Sequence, residues 1–314
     1  MILCVLRTLM DVDDRIVLID THYQQRWGHT ASYLINEPEG AAFVETGTTH
    51  AASLLLAALA QRQVAREAVQ YVIVTHIHLD HAGGAGELLH HLPNAKLVVH
   101  PRGARHMIDP QRLINSSRQV YGEAFDRIYG TIHPVAENRL IIADDTTEIT
   151  VGRRRLRFIA TEGHAKHHFC VWDPDHHGLF SGDALGISFR EFDVGEHSLI
   201  FPATTPTQFD PEVACLAIER LAQLQPRWIY LTHFGPLPWR PQWAETLQQG
   251  VRYFASWAYR GVPLADTMSQ WLLETAQSFG CQLPPSQMRA LLSLDIELNV
   301  QGLSHWAASK NPSS

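Results

Sequence analysis

The chain has 314 residues, 25 Lys plus Arg against 32 Asp plus Glu for a formal net charge of −7, and 45% hydrophobic residues. That composition excludes a disordered or fibrous chain, and the acidic balance argues against a protein built to grip the phosphate backbone of nucleic acid. No uncharged apolar run approaches a bilayer span, and Cys4, Cys170, Cys215 and Cys281 form no C-x-x-C pair, so neither a membrane segment nor a disulfide framework is expected, and a reducing, cytoplasmic setting fits best.

Residues 1–6 are apolar but short, lack a preceding basic region and run into Arg7 and the acidic stretch 11–14, which reads as no signal peptide. Strands are expected at residues 15–20, 29–35 and 41–45, an antiparallel beginning, followed by an amphipathic helix over residues 49–69 capped by Thr48 or Thr49. A short buried strand, 71–75, stops at His76. Residues 87–91 look helical, 96–100 form a strand, and 101–107 start a helix with Pro101 in its first turn. This alternation is the α/β signature. Tyr121, Phe125 and Tyr129, at spacing four in the helical segment 112–130, read as a packed stripe. Strands return around 139–142, 147–151, 155–160, 168–172 and 178–181, then a helix over 211–224 and a strand over 227–232 that stops at His233. Beyond Pro238 the pattern is helical, with Trp243, Leu247, Val251, Phe254 and Trp257 along one face. The expected organisation is a domain over residues 1–239 and a helical extension over 240–314, a lid or dimer contact.

Histidine is the compositional oddity, at 19 residues. The densest local signal is Thr75-His76-Ile77-His78-Leu79-Asp80-His81-Ala82-Gly83-Gly84 at the end of a buried strand. His76 and His78 project to one side because side chains alternate in an extended segment, so both imidazoles can hold one metal, while Asp80 and His81 can face a second. Packing three imidazoles and a carboxylate at a hydrophobic strand end costs desolvation unless a cation or a full hydrogen-bond network compensates. The pairs His90-His91 and His176-His177 fall in polar turns and read as ordinary surface histidines.

The H-x-H-x-D-H run closely resembles the signature of the metallo-β-lactamase fold superfamily, and the resemblance continues over residues 15–240. Gly163-His164, then Phe180-Ser181-Gly182-Asp183, then Thr232-His233 match the superfamily's later motifs in order. The resemblance implies an α/β fold, the αββα sandwich, followed here by the C-terminal helices. It implies that His76, His78 and His164 hold one metal, that Asp80, His81 and His233 hold another, and that Asp183 bridges them. Two divalent ions are expected, Zn2+ first, with Fe or Mn accepting much the same donors. One departure stands out: Glu45-Thr46-Gly47 replaces the usual Asp-Thr-Gly, so Glu45 is expected to take the supporting role of that aspartate with a longer side chain. His168 is a second candidate for support.

The resemblance implies a dinuclear metal-dependent hydrolase that uses a metal-bridging hydroxide on an ester, lactone or thioester, with Asp80 orienting that water or protonating the leaving group. The alternative is a mononuclear iron persulfide dioxygenase. Aspartate at position 183, where classical β-lactamases usually carry cysteine, argues against β-lactamase activity. The expected partner is a small-molecule substrate, without nucleic acid or membrane, and a homodimer is one option left open for the chain. Tyr129 and Phe189, on insertions between core elements, are the expected substrate contacts.

Overall fold

A computed structural model of the protein describes residues 9–205 and 207–310. The apolar stretch 1–6 and Cys4 lie outside the described residues, and among the described residues Cys170, Cys215 and Cys281 form no disulfide. The chain divides into two compact units, one running to Ala160 and including His167–Gly182 and Trp228–Leu237, the other made of Thr161–Lys166, Asp183–Arg227 and the chain from Pro238.

Both sheets belong to the first unit. In chain order it contains β1 (Leu9–Asp11), β2 (Ile16–Asp20), β3 (Ala31–Glu37), β4 (Gly40–Val44), α1 (Ala52–Gln61), β5 (Val69–Ile73), α2 (Leu79–Ala82), α3 (Ala85–His90), β6 (Lys96–Val99), α4 (Pro101–Ile108), α5 (Gln111–Tyr121), α6 (Phe125–Tyr129), β7 (Leu140–Ile142), β8 (Glu148–Val151), β9 (Arg154–Ala160), β10 (Phe169–Asp173) and β11 (Gly178–Gly182). Strands β12 (Trp228–Leu231) and β13 (Gly235–Pro238) complete it. The first sheet has the order β1 through β7, and the second runs β13-β12-β11-β10-β9-β8. Strands β1 to β4 pair antiparallel, and β4 to β7 pair parallel.

The β-branched run of β2 is buried at all five positions because both faces of its sheet are covered. Val17 and Ile19 join Leu34, Phe43, Leu55, Leu59, Val72, Leu88 and Leu97 in one apolar layer with α1 and α3. On β3, Tyr33 meets the second sheet, its ring 5.4 Å from that of Phe180 and 5.5 Å from that of Tyr230, and its hydroxyl donates to the Leu231 carbonyl at 2.5 Å. Arg154 ties the sheets electrostatically: Nε donates to Glu37 at 2.9 Å and Nη1 to Asp173 at 2.5 Å, with the Arg154 side chain 1% exposed. Removing one partner of so buried a pair costs about 3–5 kcal/mol, because the remaining charge stays in the interior unpaired.

Pro101 stands in the first turn of α4, where a missing N–H is harmless, and His100 Nδ1 accepts from Arg102 N at 3.1 Å as the cap. The expected helix 49–69 is shorter, opening in a tight turn at Thr49–Ala51 with no side-chain cap and closing at Gln61, after which Gln63 takes a left-handed φ of 55°. The segment 112–130 breaks at Gly122, whose φ of 54° no helix continues. Tyr129 packs against Tyr121 and Phe125, with ring centroids 5.1 and 5.3 Å apart.

The second unit is helical: α7 (Pro211–Gln223), α8 (Gln242–Tyr259), α9 (Leu264–Ser278) and α10 (Pro285–Lys310). Asp210 caps α7, accepting from Glu212 N and Val213 N, with Pro211 just inside. Trp243, Leu247, Val251 and Phe254 are buried along α8, and Trp257 lies at the rim. Two sheets flanked by helices, with further helices at the C-terminal end, are the α/β architecture expected from sequence.

Candidate metal centre

In the first unit β5 ends at Ile73, and the chain then turns through His76 and His78 into the single-turn helix α2, which carries Asp80 and His81. His233 follows β12. The ring nitrogens of these histidines converge. His76 Nε2 lies 2.8 Å from His78 Nδ1, His81 Nε2 lies 3.3 Å from His233 Nε2, and Asp80 Oδ2 lies 3.7 Å from His81 Nε2 and 3.4 Å from His233 Nε2. Asp80, His81 and His233 thus offer three donor atoms at the spacing of the edges of a tetrahedron, about 3.4 Å for ligands about 2.0–2.1 Å from a central ion.

The far nitrogens of two of these imidazoles are fixed by the protein. His81 Nδ1 lies 3.2 Å from Glu45 Oε1, and His233 Nδ1 lies 3.0 Å from the carbonyl of His29. Such partners set which nitrogen faces the metal and raise its basicity. His76 Nδ1 sits 3.1 Å from Thr75 Oγ1.

Glu45 is 1% exposed and has a left-handed φ of 67°, a conformation costly for a residue with a Cβ. Its Oε1 accepts from Thr75 Oγ1 at 2.5 Å and Thr232 Oγ1 at 3.4 Å, and its Oε2 accepts from Thr75 N at 3.3 Å. One carboxylate therefore holds the residues preceding both strand-end histidines as well as His81 itself. His168 is fully buried with its ring 4.9 Å from that of His76, while the ring of His167 stacks at 6.1 Å and its Nδ1 lies 3.5 Å from Ile77 N. Tyr129, 2% exposed, shares a 3.0 Å hydrogen bond with Tyr23. Burial, with the Asp80 charge adding to it, pushes both phenols up, so both stay neutral donors.

His164 and Asp183 meet within the second unit, His164 Nε2 lying 3.5 Å from Asp183 Oδ2. His164 Nδ1 faces the Ala203 carbonyl at 3.0 Å, and Thr205 Oγ1 lies 3.3 Å from Nε2. The segment carrying these contacts is pinned by the last helix: Asn299 Oδ1 accepts from Thr204 N at 2.5 Å and Thr204 Oγ1 at 2.9 Å, and Asn299 Nδ2 donates to the Pro202 carbonyl. Phe189 is fully buried, its ring 6.3 Å from that of Phe201.

Thr75, Thr232, His29, Ala203 and Asn299 are not singled out by sequence. The repeated Thr-His pair at two strand ends is the signal that points to the first two; the roles of His29 and Ala203 are carried by backbone carbonyls, which no side-chain pattern reveals. Among the described residues, no helix is long and apolar enough to cross a membrane.

The sequence profile of the metallo-beta-lactamase superfamily matches residues 25–233. A metallo-beta-lactamase fold-containing protein of Sulfurisphaera tokodaii is 28% identical over 170 residues, 53% of this chain and 61% of that one. A hydroxyacylglutathione hydrolase of Yersinia pestis is 25% identical over 191 residues, 61% of this chain and 55% of that one. The chain thus spans less than two thirds of the length of these curated relatives. The fold is similar to that of a metallo-beta-lactamase family protein of Thermus thermophilus, with a TM-score of 0.63 at 22% identity over 91% of this chain and 95% of the other. With two thirds of its length matched by that profile and a histidine and carboxylate cluster of metal-binding spacing at its strand ends, the chain belongs to the metallo-beta-lactamase superfamily.

Proposed function

We propose that the protein is a dinuclear metal-dependent hydrolase of a small carboxylic ester, lactone or thioester. The observation that carries this reading is the convergence of Asp80, His81 and His233 with the far nitrogens of both imidazoles already bound, because such a set is organised to receive a cation. The order of the motifs supports the full ligand set: His76, His78 and His164 for one ion, Asp80, His81 and His233 for the other, and Asp183 shared. Imidazole and carboxylate donors without thiolate favour Zn2+ over softer metals. The ions, when bound, supply an activated water at neutral pH and polarise the scissile carbonyl.

The protein's own part is to position these donors and to move a proton. Asp80 is 21% exposed at its side chain and so within reach of solvent. Asp80 would pass the proton released by the nucleophilic water to the departing alkoxide or thiolate as the acyl–oxygen or acyl–sulfur bond breaks, which balances the hydrolysis without a further acid. His168 supports the ring of His76, and Tyr129 and Phe189 shape the substrate's surroundings. The likeness to a hydroxyacylglutathione hydrolase supports an acyl substrate.

The test is a panel of lactones, thioesters and phosphodiesters assayed on protein whose metal content has been measured. About two zinc ions per chain with turnover of an acyl substrate is the expected result. A single iron per chain with no hydrolysis overturns the reading in favour of a mononuclear iron dioxygenase.

A further inference from the structure

A second group of side chains with metal-donor atoms lies on the surface of the first unit. Glu87 and His90 sit one turn apart on the same face of α3, and His133 comes from the segment between α6 and β7. One donor atom from each falls within 4.8 Å of the others. Glu87 Oε2 is 3.4 Å from His133 Nε2 and 3.7 Å from His90 Nδ1. Charge-assisted N–H···O bonds close to about 2.7–2.9 Å, so these two contacts are long for ion pairs. They match instead the edge of about 3.4 Å expected of a tetrahedron around a zinc-sized ion. His91 stands 3.2 Å from Oε1, the other carboxylate oxygen.

The placement is built into the backbone. A Cβ on Gly86 would sit 2.2 Å from the His133 carbonyl oxygen, so only glycine lets α3 approach this segment so closely. On either side of His133, Thr131 O accepts from Thr49 Oγ1 at 2.7 Å and Val135 N donates to Met107 O at 2.8 Å. The side chains of Glu87 and His133 are 30% and 33% exposed, so an ion enters from solvent and water completes its coordination.

We propose that Glu87, His90 and His133 form a surface site for a divalent transition-metal ion of the zinc class, with His91 holding the free carboxylate oxygen, and that the ion staples α3 to the 131–135 segment. The site is independent of how many ions the buried histidine cluster takes.

The experiment is a calorimetric titration of Zn2+ into metal-loaded protein from which loose metal has been removed by desalting. Wild type takes up one equivalent beyond its buried complement, and its thermal midpoint rises. In His90→Ala and in His133→Ala that equivalent is weakened at least about tenfold, with the buried metal content and circular dichroism unchanged, whereas His91→Ala weakens it less. Absence of a further equivalent in wild type overturns the proposal. So does a further equivalent whose affinity is the same in wild type and both variants, since it then belongs to other residues.

Discussion

Replacing Glu45 by Gln tests whether one carboxylate organises the strand-end histidines. The side chain keeps its length, so the change isolates charge and hydrogen-bond polarity. With the amide oxygen in place of Oε1, the bonds from Thr75 Oγ1 and Thr232 Oγ1 survive, but the amide nitrogen then opposes Thr75 N, a donor facing a donor at the 3.3 Å separation of the native contact. Flipped, the amide nitrogen opposes the Nδ1–H that His81 presents at 3.2 Å. Either rotamer leaves one buried donor unmatched, and the bond to His81 loses its charged acceptor. Supporting partners of metal-binding histidines are typically worth about 10–100-fold in metal affinity, or about 1.4–2.8 kcal/mol. We expect Glu45→Gln to weaken binding at the locus of Asp80, His81 and His233 by that factor in a competition titration against a chromogenic chelator. Denaturant unfolding of the metal-free variant separates this from general collapse, because loss of one matched donor costs the apo fold only about 1–3 kcal/mol. Wild-type metal affinity in a stably folded Glu45→Gln protein would refute the reasoning.

Asp80→Asn should lower turnover by about 10² or more with most metal retained, and substrates with better leaving groups should lose less; an equal loss across a leaving-group series removes Asp80 as proton carrier. Gly302→Ala places a Cβ 1.8 Å from the Thr204 carbonyl oxygen, so the 202–205 segment must shift, and a destabilisation of about 1–3 kcal/mol is expected in denaturant unfolding, together with weaker metal binding at His164; unchanged stability would show that α10 yields instead. Burial raises the carboxyl of Asp20 above the ordinary aspartate value although Gly28 N and His22 N donate to it. The folded state therefore holds this proton more tightly than the unfolded chain, and the contribution of Asp20 favours folding at pH below its unfolded pKa and is lost as pH rises through the folded one. Stability of wild type relative to Asp20→Asn should fall with rising pH across that window, and a relative stability that rises with pH would contradict the assignment.

The parts legible in sequence are those where local pattern and final burial agree. The continuous apolar run of β2 marks a strand buried on both faces, the run into His76 marks a strand whose end carries ligands, and Pro101 and Asp210-Pro211 announce their helices through cap chemistry. Strand β13 is not legible because Gly235-Pro236-Leu237-Pro238 looks like a loop; its place at the end of the sheet order is what tolerates two prolines. Helix α10 has no clean apolar stripe, since Asp295 and Asn299 are buried beside Leu292 and Leu303, and Asn299 is spent on holding Thr204. The support of His233 and His164 by the carbonyls of His29 and Ala203 is invisible to residue identity, because every residue carries a carbonyl.

The sequential order of the first sheet bears on how the protein is made. Each of β1 to β6 pairs with its immediate successor, so the strands can add one by one as the ribosome delivers them, each step closing only the chain between sequence neighbours. The fixing of His164 follows a different schedule, because Asn299, which secures the Thr204 segment, emerges 95 residues after it. Metal offered to ribosome-bound chains arrested near residue 260 should therefore meet His81 with its Glu45 partner already in reach but His164 still loosely held. Proteolysis of such chains should spare β1–β7 and cut within residues 196–208; equal protection of both stretches at that length would show that the late helix is not needed to order them.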